Sequence, residues 1–247
     1  MNEPYVEVIK DITGSNETSI TDLRLAVLEH SGFLAPILCK VTMSSGTLLY
    51  PYTTIPDEAD TDSVIAGLTL TRNHSSLIRK IVKETVEDAV PEVGISTALR
   101  TIMAQQTALK IEKEVVSTIV ADANILPVSG AGADWAGIEL CIEDMGPLVY
   151  NTVGTFTVAL SLTDHLALTR DADFDRAMET LKSKFRFVVS PELATGQMIV
   201  VHEHGFAGSL SVAAMEEDSS PASDSAELVL PYKTGIGYDL DFIRVVK

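Results

Sequence analysis

Leu23, Val27 and Leu28 recur at helical steps, with Gly32 in a stop position; the pattern predicts one short amphipathic helix, LRLAVLEHSGF, capped by Thr21-Asp22. Residues 1–19 scatter isolated apolar positions among Asn, Gly, Ser and Thr, and read as an extended arm. Two β-prone runs follow, FLAPILCKVTM and TLLYPYTTI, with Ser44-Ser45-Gly46 between them as a hairpin turn. Pro51 and Pro56 argue against a buried central strand, so this region reads as a projecting two-stranded loop that passes through DEADTD before alternation around Leu68 and Leu70 restores a strand. From Ile95 to Asp122 there is neither Gly nor Pro, and Ile95, Leu99, Ile102, Leu109, Val116 and Val120 recur at three- and four-residue steps or their sums. That stretch predicts a single helix about 42 Å long, which a flattened body accommodates more easily than a sphere.

PVSGAGAD (127–134) is rich in turn formers and is the clearest candidate boundary. Beyond it the pattern gives a helix over WAGIELCIEDMGPLVYN, an apolar strand TFTVALSL, a short helix beginning at Thr163-Asp164 and a strand FRFVVSP. After the acidic loop EEDSSPASD, ELVLPYK and YDLDFIRVVK read as two closing strands. The order is mixed, an α+β chain with no internal repeat of fixed period.

Composition adds sidedness to this picture. The 247 residues carry 35 acidic and 18 basic side chains, a net charge of −17, and 46% are hydrophobic. A folded chain with a sizeable core is expected, and a surface that grips nucleic acid or anionic membrane throughout is not. The charge is uneven: between Arg72 and Lys113 seven basic residues face five acids, a net of +2, so the remainder carries −19. Either one face is mildly basic, or these charges pair along the helices, as with Lys83 and Glu84 near Asp88 or Glu112 near Lys113. No run approaches the length of a membrane span, and MNEPYVEVIKD does not read as a secretory leader.

Chemistry-bearing motifs are sparse. GxSxG, GxGxxG, GxxxxGK[ST] and HExxH are all absent. His202-Glu203-His204 is the best metal candidate, since residues two apart on a strand share a face; His30, His74 and His165 are scattered, and solvated or hydrogen-bonded histidines are the default. The four acids of DEADTD (57–62) lack the central Gly and closing Glu of an EF-hand loop and read as a solvated face. Cys39 and Cys141 each lie within apolar runs, forming neither a disulfide framework nor a zinc pair, and are expected to be buried, inert thiols in a reducing compartment. No catalytic, cofactor-binding or metal-ligating residue is therefore assigned, and no enzyme activity or cofactor is expected.

The order of segments resembles the major capsid proteins of tailed bacteriophages, with their Hong Kong 97-like fold. TDLRLAVLEHSGF and KVTMSSGTLLYPYTTI are similar to that family's arm helix and long hairpin, the E-loop. LTLTRNHSSLIRKIVKETVEDAVPEVGISTALRTIMAQQTALKIEKEVV is similar to its strand, the step at KETVEDA and the spine helix. AGIELCIEDMGPLVY, TFTVALSLTDHLALTRDAD and KFRFVVSP resemble the axial domain, and ELVLPYKTGIGYDLDFIRVVK the closing strands. The ordered set, from about Thr21 to Lys247, carries the resemblance; no single motif does.

The resemblance implies an N-terminal arm and short helix (1–39), an E-loop (40–72), a peripheral domain with the spine helix (73–128 and 226–247) and an axial domain (129–225). It further implies self-assembly into hexamers and pentamers of an icosahedral shell, formed in the host cytoplasm and resident in the virion. Expected partners are a separate scaffolding protein, a portal, decoration proteins and double-stranded DNA held non-specifically on the inner face, with no membrane. Little chain precedes the arm here, in contrast to members that carry a fused scaffolding region. No Lys lies between Lys40 and Lys80, so the covalent cross-link that some members make from this loop is not expected. The hairpin residues Leu48, Leu49, Tyr50 and Ile55 cannot bury their apolar faces alone, which fits a chain that depends on neighbours. Two alternatives remain: an encapsulin-like compartment shell holding a protein cargo, and an acidic metal-dependent enzyme using His202 and His204.

Overall fold

The computed structural model describes residues 17–30, 47–53, 65–82, 95–125, 127–218 and 225–247. In chain order these form α1 (Glu17–Glu29), β1 (Thr47–Thr53), β2 (Ile65–Thr71), β3 (Asn73–Val82), α2 (Ile95–Ala121), α3 (Trp135–Met145) and α4 (Pro147–Asn151). They continue with β4 (Phe156–Leu160), α5 (Leu162–Leu168), α6 (Ala172–Leu181), β5 (Phe185–Val189), β6 (Met198–His202), β7 (Phe206–Val212), β8 (Glu216–Asp218), β9 (Ser225–Tyr238) and β10 (Ile243–Val246). The chain divides into two compact units, the first drawn from 1–31, 73–111 and 210–234, the second from 32–72, 112–209 and 235–247.

In the first unit, β3 and β9 pair antiparallel over ten positions, from Asn73↔Thr234 to Val82↔Ser225, within a sheet ordered β3-β9-β7; β8 adds to β9. Leu77, Leu228, Leu230 and Tyr232 are buried, whereas Ile78, one residue over on the pleat, is exposed. α2 follows β3 closely: the Lys110 ammonium donates to the Ser76 carbonyl (2.8 Å) and the Arg79 guanidinium to the Gln106 side chain. Leu23, Val27 and Leu28 of α1 are buried as expected. The helix begins at Glu17, however, so Thr21 and Asp22 lie inside it rather than at its cap; nothing in Glu17-Thr18-Ser19-Ile20 breaks a helix, and it runs on through them. Arg24 donates to the Leu210 carbonyl (3.0 Å) and ties α1 to β7.

The second unit is built on a four-stranded mixed sheet ordered β10-β6-β4-β5. β4 and β5 run parallel, in register from Phe156↔Phe185 to Leu160↔Val189, and a parallel pair needs a long crossover, here α5 and α6. Phe156, Val158, Leu160, Met198 and Val200 bury one face of this sheet under Trp135, Ile138 and Cys141 of α3 and Phe174 of α6. Trp135 packs edge-on against Phe174 and Phe185, with ring centroids 6.0 and 5.6 Å apart.

Local chemistry sets the helix limits here. The Asp134 carboxylate accepts from the Gly137 amide (2.7 Å) at the start of α3. Gly146, at φ 90°, ends that helix by donating its N–H back to Ile142 and Glu143, and Pro147 then opens α4, where its missing donor costs nothing. α5 begins at Leu162, capped by Ser161, rather than at Thr163-Asp164: the Asp164 amide donates to Ser161 Oγ (3.2 Å), and that hydroxyl donates to the Asp164 carboxylate (2.7 Å). Ser161 is thus an N-cap whose hydroxyl is itself fixed by the Asp164 carboxylate. The two expected closing strands are also redrawn. β9 continues through Thr234-Gly235-Ile236-Gly237 to Tyr238, and a short 3₁₀ turn over Leu240–Phe242 separates it from β10. Gly237 does not break the strand; a Cβ there would lie 2.9 Å from the Thr69 carbonyl oxygen, so glycine permits a close approach of β2.

Candidate assembly surfaces

β1 and β2 form a two-stranded ribbon with Leu48↔Leu70, Leu49↔Thr69, Tyr50↔Leu68 and Pro51↔Gly67 opposed. β1 therefore pairs with the strand expected after the loop, and Pro51 sits in this ribbon without breaking a central ladder; FLAPILCKVTM, the expected hairpin partner of TLLYPYTTI, lies outside the described residues. The Ser44–Gly46 turn, Ile55 and the acids of DEADTD lie outside the described residues. Period-two alternation gives the ribbon two unlike faces. Leu68 and Leu70 are buried with Ala207, and Leu48 and Tyr50 pack against them. On the other face Leu49 lies over Gly67 and remains 65% exposed. A lone two-stranded ribbon is marginally stable in water, and this one offers its second face to whatever covers it.

α2 spans Ile95–Ala121, one residue short of the stretch read from the sequence. Its packed side differs from the expected one: Met103, Ala104, Thr107, Ala108, Ile111, Val115, Val116 and Ile119 are buried, in doublets four residues apart, with Glu112 also buried. Of the residues expected to define the face, Val116 is buried, but Ile102 and Leu109 are 45% and 49% exposed. Seven residues apart, these two share a side of the helix. Large and small residues share the packed side, Met103, Ile111 and Ile119 beside Ala104 and Ala108, and Ile102 and Leu109 form a second apolar stripe that faces out. Between Arg72 and Lys113, the described cations are partly committed to internal contacts: Lys110 and Arg79 as above, and Lys113 to Glu192 at 3.8 Å. Glu112 next to it is buried, so the expected Glu112–Lys113 pairing on one helix surface does not describe this position.

The sequence-level metal candidate is not arranged as a strand pair. β6 ends at His202, and Glu203–Gly205 form a 3₁₀ turn in which the His204 amide donates to His202 Nδ1 (3.3 Å). The ring of His202 is fully buried against Phe156 (4.7 Å between centroids), and Glu203 accepts from the Thr155 hydroxyl (2.8 Å). These side chains are structural, and among the described residues no group of three or more His, Cys, Asp or Glu is placed to hold a metal ion. Cys141 is fully buried in the α3 core. Burial, which outweighs the opposing pull of Arg244 and is helped slightly by Asp144, drives its thiol up to about 12, so it is not a nucleophile at neutral pH. Cys39 lies outside the described residues. A cleft of about 510 Å³ opens beside α3 and α6, lined by Asp134, Trp135, Glu139, Asp171, Asp173 and Arg176. Its carboxylates serve the helices: Asp134 and Asp171 cap them, and Asp173 pairs with Arg176 at 3.4 Å. Among the described residues no helix is long and apolar enough to cross a membrane.

Neither family models nor curated proteins match this sequence. Solved structures do. A virus-like particle from Pyrococcus furiosus superposes with a TM-score of 0.65, over 94% of this chain and 100% of that one, at 12% identity. The fold is that of Hong Kong 97-like capsid proteins. A chain of the satellite phage P4 procapsid including size determination protein shares the fold at TM-score 0.60 over 92% and 98% of the two chains, with 11% identity. One from Mycobacterium phage Cain shares it at 0.54 over 88% and 90%, with 16% identity. The Hong Kong 97-like resemblance read in the order of segments is thus matched in three dimensions. At these identities the likeness is one of fold, carried by topology rather than by shared side chains.

Proposed function

We propose that this chain is the major capsid protein of a tailed bacteriophage, assembling with copies of itself into an icosahedral shell around double-stranded DNA. The Hong Kong 97-like fold, matched over nearly the whole chain by a virus-like particle and a phage procapsid, is the observation that carries this reading. Exposed apolar positions support it. Leu49 on the ribbon and Ile102 and Leu109 on α2 lie on elements whose other faces are already packed, as expected of surfaces that neighbouring subunits cover. In this proposal residues 1–39 are the arm, 40–72 the E-loop, 73–128 with 226–247 the peripheral domain and 129–225 the axial domain. Hexamers and pentamers, a separate scaffolding protein, a portal and decoration proteins are the partners. The net charge of −17 suits an interior that tolerates DNA without gripping it.

A second reading has its own support, because one structural match is described as a virus-like particle rather than as a phage. In that reading the shell is a compartment around a protein cargo. Particles purified from producing cells and treated with nuclease separate the two: the proposal expects protected double-stranded DNA, the alternative a co-purifying protein and no DNA. Absence of particles under all conditions would overturn both.

A further inference from the structure

Three regular elements contribute residues to both units without a break: α2, divided between residues 111 and 112, β7 between 209 and 210, and β9 between 234 and 235. Within the second unit their ends meet at one side-chain cluster. The Tyr238 hydroxyl, on the last residue of β9, donates to Asp122 Oδ2 at 2.6 Å, immediately past the end of α2. The other carboxylate oxygen of Asp122 accepts from both the backbone and side-chain amides of Asn124, each at 2.9 Å, which fixes the carboxylate's orientation. The Tyr238 ring stacks on Phe206, the first residue of β7, with centroids 5.7 Å apart and planes 22° from parallel. A backbone bond from the Asp239 amide to the Gly205 carbonyl (2.9 Å) closes the same junction.

The geometry points to Asp122, Tyr238 and Phe206 as a conformational clasp that locks the ends of α2, β9 and β7 to one another. A helix end has unsatisfied carbonyls and frays first, and a strand end has lost its ladder partners. Joining three such ends through one charge-assisted bond and one ring stack makes them open together or not at all. Resting on the shell reading, the consequence is uniformity. Each copy of the subunit holds these three ends in one arrangement, and a copy without the clasp lets them fray into several, which broadens the range of particle diameters.

Hydrogen exchange read by mass spectrometry tests the clasp in the full chain, comparing wild type with Tyr238→Phe, Asp122→Ala and the double variant. Tyr238→Phe keeps the ring on Phe206 and removes only the donor. Losing a hydrogen bond to a charged group is expected to speed exchange roughly 10-fold across 119–124 and 236–239, with α3 and β4 unchanged. The double variant should exchange no faster than the single ones, because both remove the same bond. Unchanged exchange at these ends would overturn the clasp. So would uniform acceleration reaching α3 and β4, or strictly additive effects, since each marks an ordinary contribution to stability. If either removal abolishes folding, Asp122→Asn, which keeps a neutral acceptor and removes only the charge, is expected to speed exchange at the same ends by a smaller factor, and acceleration spread uniformly to α3 and β4 overturns the clasp. Electron microscopy of the same variants reads the diameters. A wild type that forms no shells refutes the shell reading while exchange still decides the clasp, and Tyr238→Phe shells as uniform as wild type refute the link to size.

Discussion

Burial, and after it the hydrogen bond and charge of Asp122, disfavour the phenolate of Tyr238, so its hydroxyl titrates above the ordinary value of 10. The folded state holds this proton more tightly than the unfolded chain. Its contribution to stability is therefore complete below pH 10 and is lost as pH rises above it. Asp122 is shifted the other way, below 3.8, first by the Tyr238 bond and then by the Asn124 amide; its contribution is present above pH 3.8 and is lost as pH falls below it. Thermal unfolding followed against pH should show wild type and Tyr238→Phe converging as pH climbs past 10, with wild type more stable between. A gap that stays constant into strong alkali would show that the hydroxyl does not titrate as described. At this scale little was legible in advance. Asp122 and Tyr238 are 116 residues apart, and neither sits in a motif. The strand premise behind the His202-Glu203-His204 candidate fails for the converse reason: the spacing is local, but the chain turns at Glu203.

For the elements, length was easier to read than facing. The limits of α2 followed from 28 residues without Gly or Pro, but its packed side did not, because apolar residues occur on two sides. Hydrophobicity marks both a core and an interface, and only packing shows that Ala104, Thr107 and Ala108 face inward while Ile102 and Leu109 face out. β9 ran past its expected end because the cost of glycine in a strand is outweighed at Gly237 by the close approach it allows. The strands β1 and β2 were each legible, from TLLYPYTTI and from the alternation at Leu68 and Leu70, but their pairing with each other was not, because the turn formers Ser44-Ser45-Gly46 pointed to a partner on the other side. The exposed pair on α2 yields a prediction at this scale. Ile102→Ser with Leu109→Ser should cost the monomer only about 1 kcal/mol per site, since each side chain is about half buried, yet lower the yield of assembled particles sharply. Chemical unfolding and sedimentation of the same preparation check both; a large loss of stability, or undiminished assembly, would show that these residues are not an interface.

Across the whole molecule, topology survives where sequence likeness does not. Identities of 11 to 16% accompany matches covering 88% or more of this chain, because a fold needs apolar positions in the right order rather than particular side chains. The same logic made the order of segments readable while no single motif was. The charge reading fared differently: the net of +2 between Arg72 and Lys113 includes Lys110 and Arg79, whose charged groups hold β3 and α2 together. A count along the chain cannot separate such internal cations from a basic face. What the fold proposes for the whole protein is assembly, and electron microscopy of the purified chain, alone and with a scaffolding protein supplied, tests it most directly. Closed shells or capsomer rings of regular diameter are the predicted result; a strictly monomeric protein under every such condition would contradict it.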